Sequence, residues 1–253
     1  PREARLLLRW ASGLDAAALG LHLDAPSPAD EGARLAEALT ARAARRPLSH
    51  ITGCRAFWQH DFIVTPEVLD PRPETETLVG LALEGPAPAT IADIGTGSGC
   101  ILLSLLKAWP EARGIGIDAS GASLAVARLN AGRLGLMARA VFRHGEWLDP
   151  LAEPMDMIVS NPPYLATAEL AAVSPEVAAE PRMALDGGAD GLGAYRAIAT
   201  ALPLVLRPGG RVLLEIGPSQ GEAVAALLAA SGLHEAAVFP DLEGRPRVVT
   251  AKA

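Results

Sequence analysis

The sequence predicts an α/β fold built on a mostly parallel, doubly wound sheet, and three observations lead there. From about residue 90, short apolar runs alternate with amphipathic stretches of helical spacing, the pattern of strands joined by crossover helices. The first of these runs passes through Gly95-Thr96-Gly97-Ser98-Gly99 into a helix, and glycines at alternate positions let a backbone turn tightly against a ligand. A later run, Met157-Ile158-Val159-Ser160, ends in Asn161-Pro162-Pro163-Tyr164, and in open α/β sheets ligands bind at the carboxyl ends of strands.

Before residue 47 the chain carries helical periodicity. Leu6, Leu7, Trp10 and Leu14 are expected to form one apolar face. A second helix is expected to start at Ser27-Pro28, with Ser27 as N-cap, Pro28 at the first helical position and Asp30-Glu31 in the first turn. It runs through Leu35 and Leu39 and stops before Pro47. From Leu48 to Pro66 the period shifts towards two, which reads as a short strand pair linking two modules. Leu69 to Leu78 is a proline-ordered loop entering a helix, with Glu74 and Glu76 in its positive first turn; a surface loop and a lid on a ligand site fit it equally. After Pro86-Ala87-Pro88, strands are expected at residues 90–94, 114–118, 139–143, 156–160, 210–216, 235–239 and 246–251, and helices from near 99, 120, 192 and 219. The expected division is a helical module with its linking hairpin over residues 1–68 and the sheet domain over 69–253.

Composition narrows the function classes. Every apolar stretch of the 253 residues is interrupted by Arg, Asp, Glu, Pro or Gly before reaching the ~18 residues of a membrane span, so no membrane role is expected. Cys54 and Cys100 make neither a metal spacing nor a disulfide framework, which fits a reducing cytoplasm and a site without metal. A net charge of −7 argues against a broad phosphate-binding surface and hence against a stable nucleic-acid partner.

The chemistry lies in four places. Asp93-x-Gly95-x-Gly97-x-Gly99 has Cys100 where a dinucleotide fingerprint needs its third glycine, and an acid directly before the loop suits a cationic ligand end better than a pyrophosphate. Asp118 ends the next strand, where a carboxylate accepts both hydroxyls of a ribose; a helix N-cap is the structural alternative. Glu146-Trp147 follows the third strand, placed for an acid to accept an adenine amine beside an indole, although a tryptophan is more often core. In Asn161-Pro162-Pro163-Tyr164 neither proline has a backbone N–H, so the turn leaves acceptors outward. The Asn161 side-chain carbonyl and the Pro162 backbone carbonyl suit both hydrogens of a planar –NH2 group, with the Tyr164 ring packing on it.

In this order and spacing the motifs resemble the class I S-adenosylmethionine-dependent methyltransferases, whose Rossmann-like fold matches the predicted sheet. Further stretches sharpen the likeness: Pro47 to Gly53, Leu69 to Thr77, Glu180-Pro181 with Ala184 to Gly188, Leu214 to Gly217 with Gln220, and Asp241 through Arg247. Together they resemble the protein-(glutamine) methyltransferases of peptide-chain release factors, the PrmC/HemK family, over residues 47 to 251. The resemblance implies that Asp93 and Gly95, Thr96, Gly97, Ser98 and Gly99 form the site for S-adenosylmethionine, that Asp118 holds its ribose, and that Glu146 and Trp147 line its adenine pocket. Asn161, next to the donor, would bind a substrate glutamine with Pro162, Pro163 and Tyr164, and Asp190 and Tyr195 would belong to the substrate-side scaffold. It also implies methylation of the Gly-Gly-Gln glutamine of bacterial class 1 release factors by a cytoplasmic monomer, with the helical start recruiting the substrate. The rivals are a nucleic-acid exocyclic-amine methyltransferase, a nicotinamide oxidoreductase, which Cys100 disfavours, and a donor-binding adapter without turnover, which Asn161 disfavours.

Overall fold

The computed structural model describes residues 2–22, 26 and 28–253. Helices α1 (Arg2–Ser12), α2 (Ala16–His22) and α3 (Ala29–Ala43) form the start of the chain, followed by the short α4 (Leu48–Thr52) and a hairpin of β1 (Cys54–Phe57) and β2 (His60–Ile63). A 3-10 turn, Pro73–Thr75, leads into α5 (Glu76–Leu83). The main domain then alternates β3 (Thr90–Ile94), α6 (Cys100–Ala108), β4 (Arg113–Asp118), α7 (Gly121–Arg133), β5 (Ala140–His144) and β6 (Met155–Ser160). After the one-turn α8 (Pro175–Ala178) come α9 (Gly193–Val205), β7 (Leu206–Glu215), α10 (Gly221–Ala230), β8 (His234–Pro240) and β9 (Pro246–Lys252).

The seven expected strands all form, in the order β5-β4-β3-β6-β7-β9-β8. The pairs from β5 to β7 are parallel, and β9 runs antiparallel to both β7 and β8. Each sheet face has its own core. Ile91, Met157, Val159 and Leu213 pack with Leu78, Leu102, Leu105 and Leu124, joined by Phe57 and Phe62 of the hairpin. Ile94, Ile117, Ile158 and Leu214 pack with Tyr195, Ile198, Leu202 and Leu228. Strands buried on both faces read as continuous apolar runs, which is why they were legible.

The N-terminal region departs from expectation in three places. The inward stripe of α1 is Leu7 and Ala11, at 1% and 3% exposure, while Leu6 and Trp10 are about two-fifths exposed. An i,i+4 pair covers the narrow contact with α3, and Leu6 and Trp10 lie off it. Leu48–Thr52 is helical rather than extended, closed by Gly53 at φ 70, the left-handed C-terminal position that glycine favours. The helix α3 begins at Ala29 after Pro28, and the Ser27 cap falls outside the described residues.

Two links, the first of them buried, hold these parts to the sheet domain. Asn130 of α7, 1% exposed, accepts from Ile63 N at 2.7 Å and donates through Nδ2 to Ile63 O and Ser98 O, tying hairpin to glycine loop. Glu176 of α8 receives Arg42 Nη1 at 2.9 Å and Arg45 Nη2 at 2.8 Å, a bridge from α3 across to the loops after β6.

One glycine decides how closely the site's floor packs. A Cβ on Gly116 of β4 would stand 2.8 Å from the Phe142 ring and 2.9 Å from Thr96 Oγ1. Gly116→Ala is therefore expected to cost about 1–3 kcal/mol through overpacking. Thermal unfolding should show the loss as a fall of about 2–4 °C per kcal/mol.

Candidate active site

Parallel register assembles the site. Ile94 of β3 pairs with Ile117 of β4 on one side and Ser160 of β6 on the other, so Gly95, Asp118 and Asn161 leave adjacent strands at one level. Ser160 Oγ donates to Ile94 O at 2.6 Å, fixing the two strand ends together beneath the turn.

A cavity of about 330 Å³ opens there, lined by Gly95, Gly97, Ile117, Asp118, Gly145, Glu146, Trp147, Asn161 and Pro163 from the sheet loops. Val68, Leu69, Pro181, Met183 and Ala184 close it from the loops before α5 and after β6. Its size falls in the range of small-molecule sites. Glu67, Asp118, Glu146 and Asp186 face it, and among the described residues no lysine or arginine lines it, an environment for a cationic ligand that would repel a pyrophosphate. Gly95, at φ 68, meets nothing within 4 Å at its Cβ position, so any side chain there would occupy the cavity itself. These features fit an adenosyl sulfonium: open backbone for its amino-acid end, a carboxylate for its diol, an indole beside its purine.

Asp118 sits where the sequence puts it. Its Oδ2 accepts Gly97 N at 2.9 Å and its Oδ1 accepts Ser120 N at 2.8 Å, so it also braces the glycine turn. The N-cap of α7 is Ser120, whose hydroxyl accepts from Ser123 N. A carboxylate has about four lone-pair sites, which leaves capacity for ligand hydroxyls; burial pushes its pKa up.

Asp93 lies behind the loop rather than on the cavity. It is fully buried, with Oδ2 accepting from Thr96 Oγ1 at 2.7 Å and Leu102 N at 3.4 Å. Burial drives its pKa to about 7 against the lowering effect of Thr96. It holds the turn and the first turn of α6. Thr96, Ser98, Gly99 and Pro162 likewise do not line the cavity: Thr96 N bonds Ile117 O, Gly99 N bonds Thr96 O, and Ser98 O meets Asn130. The loop thus splits into a ligand-facing pair, Gly95 and Gly97, and an inward set that folds it. Burial also raises Cys100 to about 12, an inert thiol.

A second cavity of about 570 Å³ lies beyond Asn161, lined by Tyr164, Leu165, Glu215 and the arginines 55, 72, 245 and 247. Leu69, Asn161 and Ala184 line both cavities. Asn161 Nδ2 donates to Thr75 Oγ1 at 3.1 Å, which leaves Oδ1 without a protein donor among the described residues. The Pro162 carbonyl likewise meets no described N–H.

The walls of the second cavity are braced against the tetrapeptide. Gln220 Nε2 donates to Tyr164 O at 2.9 Å and to Gly191 O at 3.2 Å, while its Oε1 accepts Gly217 N. A short parallel bridge, Leu165 with Asp186, sets the loop beside it. A Cβ on Gly191 would stand 2.4 Å from Tyr164 O, so no other residue allows this approach. Tyr195 OH donates to Glu215 O at 2.8 Å, and Asp190 pairs with Arg196 at the start of α9. Arg72 Nη2 donates to both oxygens of the buried Glu180 at 2.6 and 2.8 Å, and Arg247 pairs with Asp241 at 3.3 Å. Thr75, Leu69 and Ala184 carry no sequence signal as site residues, because no local pattern marks a threonine, leucine or alanine that packing between remote segments brings against Asn161 or a cavity wall.

The chain is similar to known proteins over nearly its whole length. Residues 1–53 match the PrmC N-terminal domain family and residues 75–189 the methyltransferase small domain family. A release factor glutamine methyltransferase from Cereibacter sphaeroides is 52% identical over 99% of this chain and 90% of its own length. One from Rhodospirillum rubrum is 45% identical over 99% of this chain and 78% of its own. Among solved structures, a methyltransferase from Pyrococcus furiosus superposes with a TM-score of 0.59 at 16% identity, covering 89% of this chain and 98% of that one. The ribosomal protein L11 methylase of Lactobacillus delbrueckii subsp. bulgaricus gives 0.53 at 21%, covering 72% and 82%. These two establish the class I fold alone.

Asp118→Ala removes the brace of Gly97 together with the carboxylate expected to accept the ribose diol. Affinity for S-adenosylmethionine or its demethylated product, read by calorimetry, should fall by about 1.5–3 kcal/mol, the range for hydrogen bonds to a charged group. Unchanged affinity would move the ribose elsewhere.

Proposed function

Because the chain belongs to the release factor glutamine methyltransferase family, we propose that it methylates the side-chain amide nitrogen of the glutamine in the Gly-Gly-Gln motif of bacterial class 1 release factors. The donor is S-adenosylmethionine. Bound, it supplies a methyl group on a sulfonium cation. The observation that carries this reading is the place of Asn161, which lines both cavities and keeps its carbonyl oxygen free while its amide nitrogen is held.

The chain's task is to aim a poor nucleophile. An amide nitrogen shares its lone pair with the carbonyl, as the ~18–20 kcal/mol rotation barrier of peptide amides records. Asn161 Oδ1 and the Pro162 carbonyl accept its two hydrogens, and the Tyr164 ring packs on the amide plane from the second cavity. Orientation of this kind supplies up to ~7–11 kcal/mol in favourable cases. The N-methylated amide is strongly acidic while protonated and gives its extra proton to water or Asn161, so no strong base is needed.

Residues 1–68 form the recruiting unit and residues 69–253 the transferring one in this reading, which places a monomer in the cytoplasm with its substrate. The described helices include none long and apolar enough to cross a membrane. A nucleic-acid substrate is disfavoured by the pairing of the second cavity's arginines with Asp70, Glu180 and Asp241, which leaves little free charge for phosphates.

Asn161→Ala should lower turnover on a purified release factor by ~10²–10³, as for loss of an oriented polar contact, read by mass spectrometry of the factor. Asn161→Asp should bind donor nearly as wild type yet transfer much more slowly, because the added charge disturbs pairing with a neutral amide. Near wild-type turnover of Asn161→Ala at saturating donor and substrate would leave the tetrapeptide a structural turn.

Removing residues 1–46 should leave donor affinity in place and lower the rate on the intact release factor. Equal rates for the shortened and full chains would refute the recruiting role.

A further inference from the structure

The functional reading needs the Asn161 amide to face the substrate with its oxygen, and the side chain by itself has no reason to prefer that rotamer over the flipped one. Oxygen and nitrogen of an amide are nearly isosteric. Some neighbour must be able to accept and unable to donate. The neighbour on the inner side is Thr75 Oγ1, 3.1 Å from Asn161 Nδ2, yet a hydroxyl is both donor and acceptor. The decision therefore passes one residue further, to what takes the single Thr75 proton.

Glu215 is the acid beside it: the Thr75 hydroxyl acts to lower the pKa of the Glu215 carboxylate, and Glu215 lines the second cavity together with Asn161 and with Pro73 and Glu74, the neighbours of Thr75. Both residues are sealed from solvent, at 2% and 1% exposure, and Glu215 Oε2 has no hydrogen-bond partner among the described residues, so the carboxylate has room to accept. An ionised carboxylate only accepts.

Resting on the functional reading above, we propose that Thr75 and Glu215 are positioning residues: the carboxylate captures the Thr75 proton, Thr75 Oγ1 is left to accept from Asn161 Nδ2, and Asn161 Oδ1 is turned to the substrate amide. The relay joins segments from the 3-10 turn, the end of β7 and the end of β6, and it has a polarity. Protonated Glu215 donates to Thr75 instead, which frees the Thr75 proton for Asn161 Oδ1 and favours the flipped, unproductive amide.

The surroundings of Glu215 put that reversal within an accessible pH range. Burial pushes its pKa up to about 7; Thr75, Arg247 and Arg72 act to lower it and Glu74 to raise it. The phenols of Tyr164 and Tyr195 also face it and stay neutral, since burial raises both. Turnover by this relay is full above about pH 7 and declines as the pH falls below it.

Three variants of the full-length enzyme test the relay: Thr75→Val, Thr75→Ser and Glu215→Gln. Thr75→Val should lower kcat on the release factor by about 10–100-fold, a little less than the ~10²–10³ for outright loss of an oriented contact, with donor affinity within about twofold of wild type. Thr75→Ser should restore kcat to within about threefold. In an Asn161→Ala background, Thr75→Val should add less than about twofold, because the two act as one unit. Multiplying effects there, or Thr75→Val at near wild-type kcat, would overturn the proposal.

Glu215→Gln keeps size and an acceptor but does not titrate, so the acid limb of its kcat profile should vanish; a retained limb would assign that limb elsewhere and overturn the relay. This variant decides the matter if Thr75→Val does not bind donor. Should wild-type enzyme fail to methylate release factors, the functional reading falls, and the relay is still decided by NMR. The Asn161 side-chain amide signals, assigned through their loss in Asn161→Ala, should shift below about pH 7 and stay fixed in Glu215→Gln. Signals that ignore pH in wild type would refute it.

Discussion

Everything at this site depends on the register of three parallel strands. Because Ile94 lies level with Ile117 and Ser160, the residues that follow them emerge side by side from the sheet. A slip of one residue would turn alternate side chains to the opposite face, sending Asp118 or Asn161 into a core. The register is held by two fully buried faces and by the Ser160 hydroxyl bonded across to Ile94.

On that platform two cavities of different electrostatic character meet at one side chain. The first is walled by carboxylates and glycine backbone, the second by arginines already tied to buried acids. A cation is favoured in the one. In the other, fixed charge pairs shape a groove without leaving a strong net field. Asn161 is neutral and stands between them, which suits a transfer from a cationic donor to a neutral amide.

The two deepest carboxylates, Asp93 and Glu215, serve parallel ends. Each is fully buried, each has a pKa lifted to about 7 by burial, and each keeps one oxygen without a partner. Unpaired buried charge is costly, so these acids persist where they organise something. Asp93 gathers Thr96 and the start of α6, and so shapes the donor loop. Glu215 engages Thr75, and through it Asn161.

The sequence by itself determined what local chemistry encodes: the central strands, because both-face burial writes them as apolar runs; the glycine turn, because glycine takes φ near 68 and 54, as at Gly95 and Gly97, without strain; and the acceptor-rich turn, because proline lacks an N–H. It also brought out Asp118 and Asn161, since each directly follows an apolar run. What only the tertiary structure decided is which polar atoms point at the cavity and which point behind it. Asp93 and Asp118 look alike in sequence, each an acid beside a strand end, and burial separates a turn-holder from a cavity wall. Thr75 stands in a run of prolines and glutamates with nothing to mark it, and Leu6 looked as inward as Leu7. A side chain's role depends on what remote segments bring against it, and that information resides in packing between elements, not in the period of any one of them.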